Sequence, residues 1–350
     1  MTVRVSKPAF NLRDKLSELD KPTGIHGTQL MRSSDIEESF DLVGAGRKNL
    51  FINGSTIVWQ RGTSNPNVSN YGCDRWWFAN GATRVDRSTT VPDGFPYSMK
   101  VTSNGNTTSI GQPIELTSTG RSQFEPNASY TLSFYARTDS GTNAISATVY
   151  YRNGKYSGTN QVNWGPTVTQ NMGTMTTSFQ RFSKTFTAPS APHANNQMLA
   201  VELNNSATYY ITGIQFEKGK AITPFEHRSY GEELALCKRY YQVLVDQADT
   251  GSQKSFGIAC AYSSTSMHSV HPLRPPMRTT PTIDYTTGSN YYKAYFNNTS
   301  DSYDSIALVG NSHPHAADLM VSSGLSVTQG NAVLLRTQNA ASKIAFQAEL

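Results

Sequence analysis

Flat rings are the first residues in this chain with a chemistry to offer. An aromatic ring stacks on the C–H face of a sugar while nearby polar groups take its hydroxyls. Trp164 in QVNWGP stands beside Gly165 and Pro166, the setting of a loop aromatic, and Tyr156 precedes it. Trp76 and Trp77 are adjacent in YGCDRWWF. On a strand they point to opposite faces, one into a core and the other outward or into a subunit contact. GSNYYKAYFNN gathers Tyr291, Tyr292 and Tyr295 in a loop-bordered stretch. That is either an exposed recognition patch or a strand with half-buried tyrosines. Trp164, Tyr156, Trp77, Tyr291, Tyr292 and Tyr295 are therefore the candidate glycan contacts.

Catalysis finds little to stand on. Hydrolysis of a glycan needs two carboxyls about 5–9 Å apart, whereas Asp74, Glu115, Asp139, Asp284 and Asp304 are scattered. No GxSxG elbow, HExxH, P-loop or post-strand GxGxxG occurs. The sequence predicts a binding protein rather than an enzyme, with no cofactor. Cys73, Cys237 and Cys260 are odd in number and widely spaced, which suits buried thiols better than a disulfide framework.

The totals narrow the class. Of 350 residues, 16% are charged and 37% hydrophobic, so the chain is neither a charged disordered protein nor a membrane-spanning one. Ser, Thr, Asn and Gly dominate the polar part, as many short strands with turn-rich connections require. The net charge is +5, but no run of five Lys or Arg occurs, so no nucleic-acid partner is expected. No apolar run approaches the ~20 residues that span a bilayer, and MTVRVSKPAF lacks the apolar core of a secretion signal. Assembly in a cytoplasm without membrane insertion is the expectation.

These candidate residues need elements to hold them. Residues 1–48 read as a short helical segment, with Val5, Ala9, Leu12, Leu16 and Leu19 in a/d-like spacing. Two heptads are marginal alone, so this helix needs copies of itself, a docking partner, or its own chain to lie on. From Asn49 the period becomes two. YTLSFYAR, ISATVYY, LAVEL and TYYITGIQF alternate, and Asn153–Gly154 signals a hairpin. A jelly-roll β-sandwich over 49–228 follows. Within 229–242 the spacing of Tyr230, Leu234, Cys237 and Tyr241 predicts a linker helix with one apolar stripe. Residues 243–350 read as a second, smaller β-sandwich, in which Phe256, Ile258, Cys260 and Tyr262 share a side. The fold class is mainly β.

Three ordered segments add a resemblance. VRVSKPAFNLRDKLSELDKPTGIHG, GAGRKNLFING and EKGKAITPFEHRSYGEELALCKRYYQ, with YGCDRWWF between them, resemble tail-fibre proteins of tailed bacteriophages, particularly those of marine and cyanobacterial hosts. The likeness covers most of residues 1–242 and is thinner beyond. It implies a homotrimer in the virion, fixed to other virion proteins by residues 1–48, with its far end toward a host-surface polysaccharide. A purely structural neck, baseplate or decoration fibre is the alternative. Within the family the first β domain is similar to carbohydrate-binding jelly rolls. There Asp74–Arg75 would be a structural pair and Trp76 core. Such jelly rolls often hold calcium, but Asn53–Gly54–Ser55–Thr56 lacks the expected carboxylate, so no calcium is expected. In a trimer, three copies of His313 and His315 could gather six imidazoles for iron or nickel; a solvated loop is the alternative.

Overall fold

The computed structural model describes residues 48–65, 71–115, 124–152, 162–164, 169–190, 198–247 and 253–349. Val5, Ala9, Leu12, Leu16, Leu19 and Tyr156 lie outside them. The first unit contains β1 (Ser64–Asn65), β2 (Trp77–Ser88), β3 (Ser98–Glu115), β4 (Ser129–Thr138), β5 (Asn143–Arg152), β6 (Val162–Asn163), β7 (Gln170–Met175), β8 (Gln180–Thr187), β9 (Met198–Asn205) and β10 (Tyr209–Lys218). Helix α1 (Tyr230–Lys238) follows. The second unit contains β11 (Tyr241–Asp246), β12 (Ser255–Ala261), β13 (Met267–Pro272), β14 (Thr282–Tyr285), β15 (Tyr292–Phe296), β16 (Thr299–Tyr303), β17 (Ala307–Leu308), β18 (Ala316–Val321), β19 (Ala332–Thr337) and β20 (Lys343–Gln347).

The first unit is mainly β, as its alternating segments predict, and is built as a two-layer sandwich. Strands β2 and β3 are long enough to belong to both layers. Met99–Val101 of β3 pair with β10, whereas Thr108–Glu115 pair with β9. One layer is therefore β8–β4–β10 with the first part of β3. The other is β5–β9 with the last part of β3 and the start of β2, and β6 and β7 pair along the outer edge of β5. Alternation places Leu132, Phe134, Ile110, Ala147, Val149 and Leu203 between the layers.

A side-chain clamp closes this sandwich. The Asn49 amide donates to Glu226 Oε2 at 2.6 Å, and Arg228 donates to the carbonyls of Asn49 and Phe51 at 2.5 and 2.9 Å. Arg228 also pairs with Glu226 and Glu233. The segments NLFING and TPFEHRSYGEE, far apart in sequence, thus form one buried polar knot.

Helix α1 departs from its predicted stripe. Ser229 caps it, its hydroxyl accepting from the Glu232 amide at 3.2 Å. The buried residues are Glu233 and Cys237, one turn apart, while Tyr230 is 57% exposed and Leu234 half-buried. Glu233 faces inward because its carboxylate accepts from the Asn53 amide at 2.7 Å and pairs with Arg228. Tyr241 belongs to β11, not to the helix. The helix is nine residues long and lies against its own sandwich, so it is a docked corner rather than a free-standing rod.

The second unit packs the three-stranded sheet β11–β20–β14 on the seven-stranded sheet β16–β15–β19–β12–β13–β18–β17. Its core includes Met267, Tyr292, Tyr303, Leu319, Leu335 and Phe346. Strand β12 keeps Ile258, Cys260 and Tyr262 on one side, as the alternation predicts, but Phe256, across the irregularity between Ser255 and Gly257, packs against the core. Ala259 and Ala261 face the core, and Ile258, Cys260 and Tyr262 face out. Both sets are apolar, so periodicity alone did not say which faces in. The space opposite Gly257 is already filled by His271: a Cβ there would stand 2.7 Å from His271 Cε1.

Candidate functional site

The site starts from a parity argument. Phe78 pairs with Ile110, and both lie in the core. Trp77 precedes Phe78 and pairs with Gly111, so it stands on the outer face of the β2–β3–β9–β5 layer. Trp76 goes the other way: it is in the core, and its indole nitrogen donates to the Asn53 carbonyl at 2.9 Å. Across the layer, Gly111 pairs with Glu202 and Glu202 with Thr148. The neighbouring row runs Pro113, Ala200, Tyr150, Asn163, and the row on the other side runs Ser109, Asn204, Ser146, Asn171.

Tyr150 lies between the core residue Val149 and Tyr151, so it shares the outer face with Thr148 and Trp77. Trp77 and Tyr150 are not in the cluster packed between the layers, yet both are buried, at 4% and 3% exposed. Gly111 and Glu202, and in the next row Pro113 and Ala200, lie between them, and Ser109, Ser146 and Thr148 share this face, Ser109 and Thr148 buried. Trp77 and Thr148 are three strand spacings apart, about 14 Å. Aromatic, hydroxyl and carboxylate residue types on one sheet face are those that sugar-binding faces use. Both rings are covered, so neither is an open platform in this structure.

The other predicted residues do not gather there. Trp164 is a correction: it is 1% exposed and packs among Phe124, Tyr130 and Phe216 at 5.2, 5.2 and 5.8 Å. Its amide donates to the Val149 carbonyl at 2.9 Å, which fixes it beside β5 and turns the indole between the layers. The tyrosine patch is split by the pleat. Tyr292 is wholly buried, its hydroxyl donating to the carbonyls of Thr286 and Lys343 at 2.8 Å each. Tyr295 is on the opposite face, donating to Gln253 at 3.0 Å, and Tyr291 is half-buried. His313 and His315 are exposed with ring centroids 5.9 Å apart. Among the described residues, no group of three or more His, Cys, Asp or Glu is placed to hold a metal.

The carboxylates weighed for catalysis are engaged structurally. Asp74 accepts from the Gln60 amide at 2.6 Å and meets Arg61 at 3.5 Å. Burial lifts its carboxyl to about 6 despite Arg61. Asp74 and Arg75 are not each other's partners: Arg75 pairs with Glu349 and donates to the Pro113 carbonyl at 2.7 Å. Asp284 accepts from the Tyr241 hydroxyl at 2.8 Å, and Asp304 from the amides of Asn290 and Tyr291 at 3.0 and 2.6 Å. One pair looks like a nucleophile and base: Ser269 Oγ lies 3.0 Å from His271 Nε2. Both are buried, burial lowers the imidazole's pKa, and the hydroxyl donates to the Ile258 carbonyl at 2.9 Å. A substrate has no way to reach that hydroxyl. Asn53, which occupies the region tested for calcium, uses its carboxamide to donate to the carbonyls of Val58 and Asp74 at 2.9 and 3.0 Å.

Comparison with known proteins meets the same layer. Residues 62–208 match a carbohydrate binding domain family, CBM_4_9. The matched domain contains Trp77, Gly111, Thr148 and Tyr150, and ends before the helix. Among solved structures, the CBM22-1 xylan-binding domain of Paenibacillus barcinonensis Xyn10C overlaps at 13% identity, with 51% of this chain and all (100%) of that one covered, TM-score 0.34. The CBM22-1–CBM22-2 tandem of the same protein covers 88% of this chain and 100% of its own at 12% identity, TM-score 0.34. A putative sugar binding protein from Bacteroides thetaiotaomicron VPI-5482 gives 14% identity, 49% and 100% coverage and TM-score 0.35. These overlaps are loose. No curated protein matches the chain.

Proposed function

We propose that this protein binds carbohydrate without turning it over, on the outer sheet face that carries Trp77 and Tyr150. The observation that supports this most is their placement. Two large aromatics stand on the face of the layer turned away from the inter-layer cluster, on either side of Gly111 and Glu202 and of Pro113 and Ala200, inside the segment that matches a carbohydrate binding domain. Pyranose C–H faces would stack on the rings, and the hydroxyls of Ser109, Ser146 and Thr148 would set specificity. The engaged carboxylates favour binding over hydrolysis.

The ordered segments that resemble phage tail fibres support a finer reading. The protein is a homotrimeric virion fibre, assembled in the host cytoplasm and attached through its N-terminal segment to other virion proteins. Its glycan is a host-surface polysaccharide, with low single-site affinity offset by several copies. The covering of both rings favours a second reading, a structural fibre that meets no glycan. A glycan array probed with the full chain separates them, alongside a reducing-end assay on every positive polysaccharide. Binding without new reducing ends is expected. No binding to any member of the array favours the structural fibre, and new reducing ends contradict the binding-only reading.

A further inference from the structure

The outer face of the seven-stranded sheet is apolar where an isolated subunit would be polar. Ile258, Tyr262 and Val270 are 70%, 72% and 64% exposed, and Cys260 is exposed between the first two. They share one surface. Cys260 pairs with His268 on one side and Ala332 on the other, and Ile258 pairs with Leu334, itself opposite Tyr295. Single exposed hydrophobics are ordinary; a contiguous row on adjacent strands is not.

We propose that this face is where copies of the chain associate with one another. The contact rests on the homo-oligomer reading above and names its surface. The charged groups on the face are His268, 3.2 Å from Asp318, and Arg336 and Lys293, which pair across strands and lie 4.7 and 6.0 Å from the Tyr295 ring centroid. Two observations point to a copy rather than another partner. Val270, Ile258, Leu334 and Tyr295 fall in one row across adjacent strands, an uninterrupted apolar ridge that a sheet face of the same kind can pack against. Finally, the face has the right scale. Seven strands spaced about 4.8 Å and about 17 Å long project on the order of 600 Å², comparable with the roughly 800 Å² of accessible surface each partner buries in a stable association. The sheet edges are poorer contacts: β17 is two residues long and β16 is Thr-Ser-Asp-Ser-Tyr.

Sedimentation equilibrium on the full chain tests this. Wild type is expected at a multiple of 38.4 kDa, and Ile258→Asp with Val270→Asp at 38.4 kDa with an unchanged far-UV circular dichroism spectrum. A second readout is alkylation of Cys260 by a maleimide, with buried Cys73 and Cys237 as internal controls. It should be slow in the assembled wild type and at least about tenfold faster in the variant. If the Asp pair fails to fold, Ile258→Thr with Val270→Thr keeps strand propensity and should show the same loss of mass and gain of alkylation. A wild type of 38.4 kDa overturns both this contact and the homo-oligomer reading. An oligomer that survives these substitutions with Cys260 still protected overturns this contact alone and leaves the homo-oligomer reading standing.

Discussion

Arg75 lies over the ring of Tyr240, its guanidinium carbon 3.5 Å from the centroid. The same guanidinium pairs with Glu349, near the end of the second unit. Beside it Arg61 stacks on Tyr241 at 3.7 Å, meets Asp74 and also reaches Glu349 at 3.0 Å. Lys343 donates to the Gln60 carbonyl at 2.8 Å, and the Gln60 carboxamide to the Tyr241 carbonyl at 2.9 Å. The two sandwiches are thus joined by a buried set of charges and rings. Their relative position is fixed by these side chains rather than by the length of a helix.

Arg75→Ala should therefore loosen the joint. Removing the cation leaves Glu349 with Arg61 alone and the Pro113 carbonyl without its donor in a buried place, a change that costs about 1–3 kcal/mol. Urea denaturation should show the loss, and Arg75→Ala combined with Glu349→Gln should lose less than the two single changes added together. Strict additivity would show that the pair is not coupled.

The joint should also report pH. The folded pKa of Asp74, raised by burial to about 6, lies above its unfolded value of about 3.9. Between roughly pH 4 and 6 the folded protein holds a proton that the unfolded chain has released, so this group's contribution to stability falls as pH rises through that window and is level above it. Asp74→Asn removes the slope. Relative to wild type, the variant should gain on the order of 3 kcal/mol from pH 3.5 to 7 in urea midpoints converted to free energy. A difference that stays constant with pH would contradict this.

Gly54 is held by a close approach. A Cβ at this position would stand 2.2 Å from the Ile214 carbonyl oxygen, and the Ile214 amide donates to the Gly54 carbonyl at 2.9 Å. Gly54→Ala should destabilise by about 1–3 kcal/mol in the same assay, because backbone rather than a flexible side chain has to move. A neutral effect would place that loop differently.

Trp164→Ala and Trp77→Ala should separate stability from function. The first empties the aromatic core of the first sandwich and should cost about 3–5 kcal/mol. The second removes a ring outside that core. A thermal melt in which Trp77→Ala loses as much as Trp164→Ala would assign Trp77 to packing.

Much of the scaffold was legible because period two survives in YTLSFYAR and ISATVYY, and Tyr230, Leu234 and Cys237 fall at helical spacing. Opposite faces for Trp76 and Trp77 followed from the pleat alone. Three things were hidden, each for a physical reason. Tyr241 continues the helical spacing of Leu234 and Cys237, but β11 begins two residues after the last helical turn ends. Trp164 has turn residues beside it, yet it follows a two-residue strand whose pairing with β5 turns it inward. SFGIACA is apolar on both sides, and the choice of inner face was made by His271 and Met267 on the neighbouring strand. Tyr150 was missed as a partner of Trp77 because only the register through Gly111, Glu202 and Thr148 brings β2 and β5 onto one surface.

Affinity electrophoresis of the full chain through gels containing dissolved bacterial-surface polysaccharides tests the central claim most directly. Wild type should be retarded by at least one polysaccharide. Trp77→Ala, with its fold verified by circular dichroism, should lose at least about tenfold in apparent affinity, or ~1.4 kcal/mol. Equal retardation of wild type and variant, or free migration of wild type through every gel, would contradict it.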